Sequence, residues 1–248
     1  MPSIASHLAG ARLLGDRVAH RDIDNDRGSF YLGATAPDVR IITRRDREDT
    51  HFYTLDELDH QDSIARMFAA HPRLRDTPQL DVPTRAFMAG YLTHLVMDQQ
   101  YIERIYREHF GASGTLGDDT RRDLLDRVLQ YEIDRRERED GRMSDIREAL
   151  AACSVDAEIE MIQRETLLRW RDVVLDIASH PPTWERFAYM AGRHLAGLRG
   201  DERALEQFYR DLPDLLNETM DHVTEAKVRE FLEQTIDEAT ERVREYLR

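Results

Sequence analysis

The chain has 248 residues, 41% of them hydrophobic and 34% charged, a composition that folds around its own core and excludes a disordered or fibrous chain. Its 35 basic against 49 acidic side chains leave a formal charge of −14, which argues against a protein that coats nucleic acid. The lone Cys153 excludes a disulfide framework and a cysteine-type zinc site, so any metal must be held by His, Asp or Glu.

Apolar residues recur at helical spacing and strand-like alternation is absent, so the chain reads as all-α, a multi-helix bundle. The spacing predicts a first helix over 3–20 capped by Ser3, a polar loop over 21–27, a helical turn at 30–33 and an irregular segment from Pro37 to Asp49. A helix over 61–70 is stopped by His71-Pro72. Pro78 and Pro83 bracket a loop, and Pro83 opens a long helix running to about Phe110. Gly111, Gly114 and Gly117 then break the chain. Further helices are predicted over 119–139, 144–152, 156–179, 183–198, 202–211 and 214–247, with Pro181-Pro182 and Pro213 as stops. In the last one, Leu232, Ile236, Ala239, Val243 and Tyr246 form a seam for another helix, within the chain or across a homo-oligomer. We expect one helical domain, 1–248, with a chemical half at 1–110 and a scaffolding half at 118–248; two domains are the alternative. Met1-Pro2-Ser3-Ile4 lacks the segments of a signal peptide, and no run approaches the roughly 18 apolar residues of a membrane span, so a cytoplasmic protein is expected.

Four local signals carry chemistry. His94 and Asp98 lie one helical turn apart, beside an apolar stripe, where burial is costly unless they pair or hold a metal. Asp38 follows Gly33-Ala34-Thr35-Ala36-Pro37, in which small residues allow close backbone approach and Pro37 stiffens the chain; it reads as a ligand or as a turn aspartate. His51 sits between the charged run Arg44 to Asp49 and two aromatics, and His7 lies on the first helix beside Ile4, Leu8 and Ala11; for both the plainer reading is a buried structural histidine.

Taken in order, His7, Gly-Ala-Thr-Ala-Pro-Asp ending at Asp38, Thr-His-Phe around His51 and Ala-Gly-Tyr-Leu-Thr-His-Leu-Val-Met-Asp ending at Asp98 resemble the zinc-dependent phospholipase C family. Single-strand-specific nucleases share that helical fold and metal chemistry. The resemblance covers roughly the first 110 residues and implies a metal site between helices of the N-terminal half. It implies that Asp38, His51, His94 and Asp98 hold one zinc, that Asp98 bridges to a second, and that His7 serves the second. The family's remaining site needs a His-x-x-x-Glu downstream; none follows Asp98 here, so one or two ions are expected.

Two imidazoles and two carboxylates make a mixed site that suits zinc and accepts Mn, Fe or Ni. The reading is a metal-dependent hydrolase of phosphoesters acting through metal-activated water. Asp38 is the candidate for a dual role as ligand or general base. Arg40 and Arg44, with Arg45, are candidates for holding a small phosphoester or a phospholipid headgroup. A non-catalytic helical protein with a structural metal site that binds a partner is the alternative. A third reading has no metal and makes His94 and Asp98 a buried hydrogen-bonded pair.

Overall fold

The computed structural model describes residues 2–111, 119–139, 141–191 and 201–248. Among these residues all regular structure is helical, as expected. The α-helices are α1 (Ile4–Val18), α2 (Arg21–Asn25), α3 (Arg27–Gly33), α4 (Arg40–Thr43), α5 (Glu48–His51), α6 (Ser63–Ala70), α7 (Val82–Tyr101), α8 (Asp119–Glu137), α9 (Met143–Ala152), α10 (Arg164–Ser179), α11 (Trp184–Ala191), α12 (Glu202–Val223) and α13 (Glu225–Tyr246). No described helix is long and apolar enough to cross a membrane.

The molecule is organised around α7. Asp81 caps it by accepting the Thr84 N–H at 2.8 Å, and Pro83 occupies its first turn. Every residue from Ala86 to Tyr101 is buried, so beyond its first turn this helix has no solvent face and each polar side chain there must find a partner inside the protein. A wider π-helical stretch, Ile102–Phe110, continues it. The small residues of the Gly33–Pro37 run let α3 meet α7 backbone to backbone. A Cβ on Gly33 would lie 1.9 Å from the Phe87 carbonyl oxygen, and one on Gly90 2.0 Å from that of Phe30. A Cβ on Gly10 would lie 2.7 Å from Met97 Cε, which is how α1 comes close to α7.

Two apolar clusters flank α7. The first joins α1, α3 and the front of α7 to α9, α10 and the end of α13. The second joins the end of α7 to α8, α11, α12 and the start of α13. The last helix therefore packs along α7 and α1 of its own chain, and elements beyond the glycine break complete both cores.

Several boundaries differ from expectation. Residues 21–25, read as loop, form α2, capped by the His20 ring. Short helices α4 and α5 interrupt the segment expected to be irregular. Helix α10 starts at Arg164, not 156, because Val155, Ala157, Ile159 and Met161 are buried while Asp156, Glu158 and Glu160 are exposed. That is the alternation of an extended segment, and Arg164 fastens it by donating to the Val155 and Ser154 carbonyls, both at 2.9 Å. Pro213 does not stop a helix. It stands exposed within α12, while Phe208, Leu215, Thr219 and Val223 stay buried and hold the helix together across the missing N–H. The break falls at Thr224, whose hydroxyl caps α13 by accepting the Lys227 N–H at 3.2 Å. The glycine break over 112–118 and the predicted helical stretch over 192–198 lie outside the described residues.

Candidate metal centre

The five predicted ligands meet at one place. His7 comes from α1, Asp38 from the 3-10 turn Ala36–Val39, His51 from the end of α5, and His94 and Asp98 from α7. His7, His94 and Asp98 form one group able to hold an ion and Asp38, His51 and His94 another, with candidate ligand atoms within 4.8 Å of each other in each group. His94 belongs to both. The His7 ring stacks on that of His94 with centroids 3.7 Å apart.

Bonds behind the ligands set their orientation. His94 Nδ1 lies 2.9 Å from the Ala34 carbonyl, in the turn that Gly33 presses against α7. The Thr50 hydroxyl donates to the Arg47 carbonyl at 3.3 Å and so accepts from His51 Nδ1 at 3.0 Å. Tyr91 donates to the Thr50 carbonyl at 2.5 Å, tying α5 to α7. Trp170 of α10 donates to the Thr35 carbonyl at 3.0 Å and braces the turn that carries Asp38. With both Nδ1 atoms engaged as donors, the Nε2 atoms of His51 and His94 both carry lone pairs when the two rings are neutral, and they face each other 3.3 Å apart. Two lone pairs at that distance need a cation between them, either a proton or a metal. This is the arrangement in which ligating histidines are held from behind by a carbonyl or hydroxyl.

The carboxylates surround the same point. Asp98 Oδ2 accepts from Arg47 Nη2 at 2.7 Å and lies 3.3 Å from His51 Nε2, while Oδ1 lies 3.3 Å from His7 Nε2. Asp38 Oδ1 is 3.6 Å from His51 Nε2. The His94–Asp98 separation is 3.7 Å and the His94 hydrogen bond goes to Ala34, so these two are not the hydrogen-bonded pair of the metal-free reading.

Of the ten buried side-chain nitrogens and oxygens without a hydrogen-bond partner among the described residues, two are on His7, one on Asp98, two on Arg47 and one on Arg40. The 3.3 Å contact of His7 with Asp98 is thus close without being aligned as a hydrogen bond. Such atoms are rare in folded proteins, and their concentration here marks a place built for something further.

Electrostatics follow burial and charge. Burial and the neighbouring His7 hold His94 down at about 3, so its imidazole is neutral. Burial pushes the Asp38 carboxyl up, but the His51 hydrogen bond and, in the acid range where both rings are protonated, the charges of His94 and His51 outweigh it and bring it to about 2. Burial works the same way on Asp98, and Arg47 with His51 and His7 holds it well below the usual carboxylate range. His51 is raised: burial pulls it down, and hydrogen bonds to Asp38 and Asp98 more than compensate.

The side chains of His7, His51, His94 and Asp98 are 0–4% exposed, whereas that of Asp38 is 15% exposed and lines a cavity of about 280 Å³. Arg40 lines the same cavity. Arg44 turns the chain in the left-handed conformation, φ 58°, and is exposed. Arg45 is committed to the Met161 carbonyl at 2.8 Å and to Asp49. Sequence reasoning missed Arg47, which lay hidden in the charged run; its position one turn before His51 was the available signal. Comparisons with protein-family models, curated proteins and solved structures return no match for this chain.

Proposed function

We propose that this chain is a metal-dependent hydrolase of phosphoesters, with the ligand order of zinc-dependent phospholipases C. The observation that carries the proposal is the pair of overlapping ligand groups, in which both nitrogens of His7 and one oxygen of Asp98 are left without partners and Asp38 alone of the five opens to a cavity. Three histidines and two carboxylates suit zinc and also accept Mn, Fe or Ni. A divalent ion held by them supplies Lewis acidity toward a phosphoryl oxygen and toward water. The chain's own residues do the rest. His51 and His94 present Nε2 because Thr50 and Ala34 hold the opposite nitrogen. Asp38, ionised and at the cavity wall, orients water and takes its proton. Arg40 meets the phosphate from the cavity side, and Arg47 keeps Asp98 charged.

The burial of the other four ligands favours a second reading, a closed structural ion. One experiment separates the two. Zinc-loaded wild type and His94→Ala are assayed on phosphodiesters, phosphomonoesters and phospholipids, with metal content and helical circular dichroism measured alongside. Turnover and metal that both vanish in a folded His94→Ala are expected. Wild type that keeps its metal and cleaves no phosphoester contradicts the hydrolase and leaves the structural ion.

A further inference from the structure

Two successive carbonyls in the turn before Asp38 are taken from outside it. That of Ala34 receives His94 Nδ1 from α7 at 2.9 Å, and that of Thr35 receives Trp170 Nε1 from α10 at 3.0 Å. Resting on the metal-centre reading, we infer that Trp170 is a positioning residue for Asp38: through the Thr35 carbonyl, the half of the chain beyond the glycine break sets the one ligand that opens to the cavity.

The indole has a single N–H, and a buried one must find its acceptor inside the protein. Trp170 is 0% exposed, and both acceptors within reach of Nε1 belong to Thr35, the carbonyl at 3.0 Å and the hydroxyl at 3.2 Å. The Thr35 hydroxyl donates to the Leu32 carbonyl at 3.0 Å, so it turns a lone pair to the indole. The Thr35 carbonyl also closes the turn, because the Asp38 N–H donates to it at 3.1 Å. A carbonyl oxygen has two lone pairs. One therefore holds the Asp38 backbone and the other holds Trp170. Pro37 has no N–H with which to replace either bond.

This supplies what the other ligands have by different means. His51 and His94 are held from behind by Thr50 and Ala34, and Asp98 by Arg47. Asp38 is held at its backbone. Trp170 is itself fixed, because Leu167, Val174 and Ala178 of α10 are buried on the same side of the helix. The extended segment leading into α10 reaches the other edge of the ligand group. Its Met161 carbonyl accepts from Arg45 at 2.8 Å, in the segment that leads to His51. One unit thus touches the approaches to both Asp38 and His51, whose Oδ1 and Nε2 stand 3.6 Å apart. Ligand atoms around a tetrahedral zinc with bonds of about 2.0–2.1 Å lie about 3.3–3.4 Å from each other, so the separation has little room to grow.

The test is a double-mutant cycle read as zinc affinity, by competition with a chromophoric chelator. Trp170→Phe keeps the apolar ring and removes the N–H, and it should weaken zinc roughly tenfold. In an Asp38→Ala background the same change should weaken zinc by no more than about twofold, because the ligand it positions is gone. Leu167→Ala removes packing from the same helix without touching Thr35; it should lower the melting temperature and leave zinc affinity unchanged. In zinc-free protein, amide exchange at Asp38 should speed up in Trp170→Phe and not in Leu167→Ala. Should Trp170→Phe fail to fold, benzothienylalanine incorporated in place of Trp170 in a Trp184→Phe background keeps the shape of the indole, lacks the N–H and should give the same results. Unchanged zinc affinity in Trp170→Phe, or an equal loss with and without Asp38, overturns the inference. Wild type that takes up no zinc fails the metal-centre reading instead, and exchange at Asp38 in the zinc-free protein still decides whether Trp170 holds the turn.

Discussion

Asp98 and Tyr101 stand less than one turn apart on α7, both buried, and their surroundings differ in kind. Around Tyr101 every bond is made. Its hydroxyl donates to Asp126 Oδ1 at 2.6 Å, Gln130 donates to Asp126 Oδ2 at 2.7 Å, and Arg127 donates to Gln130 at 3.0 Å. Around Asp98, both nitrogens of His7, one oxygen of Asp98 itself and two nitrogens of Arg47 have no partner. Both clusters put carboxylates into the same apolar interior. The lesson is that a buried polar group marks function only where its bonding is incomplete. The complete network specifies how α8 meets α7, and the incomplete one waits for a ligand.

Substitutions sharpen the contrast. Asp98→Ala removes a shared ligand and strands Arg47 in the interior. It should abolish metal uptake and cost about 3–5 kcal/mol of metal-free stability, read from urea unfolding. Thr50→Val removes the acceptor that holds His51 Nδ1 and should weaken zinc roughly 10- to 100-fold in a competition with a chromophoric chelator. Tyr101→Phe leaves Asp126 one bond short and should cost roughly 1–3 kcal/mol with metal content unchanged, because Asp126 belongs to neither ligand group. Metal loss in Tyr101→Phe would erase the distinction between the clusters.

The smallest effect is in pH. Folding lowers His94 from 6.5 to about 3, so the unfolded chain protonates first and this contribution to stability is lost as pH falls from 6.5 towards 3. Asp38, lowered from 3.8 to about 2, adds to the loss at the acid end of that range. His51 is raised above 6.5, so its contribution is full below 6.5 and is lost as pH rises through its folded value. Melting of the metal-free protein should therefore be sharpest and highest near pH 6.5 and fall on both sides. In the zinc-loaded protein the alkaline fall should disappear, because the metal replaces the His51 proton. An alkaline fall of equal size with zinc bound would mean that His51 is not a ligand.

Much of this was legible in the sequence because the information is local. The spacing of His94 and Asp98, the small residues before Asp38 and the Asp81–Pro83 start of α7 each act within one turn or one crossing. What escaped depends on partners distant in sequence. Arg47 reads as one charge in a solvated run until Asp98 comes within 2.7 Å of it. Val155 to Met161 has a two-residue alternation set within an otherwise helical chain, and Pro213 is accommodated because its ring faces solvent.

The most direct test of the account is transition-metal content per chain, by elemental analysis of untagged protein, in wild type and His94→Ala. His94 is common to both ligand groups, so the account predicts one or two equivalents in wild type and none in a folded variant. No metal in wild type after incubation with zinc, or undiminished metal in His94→Ala, would contradict it.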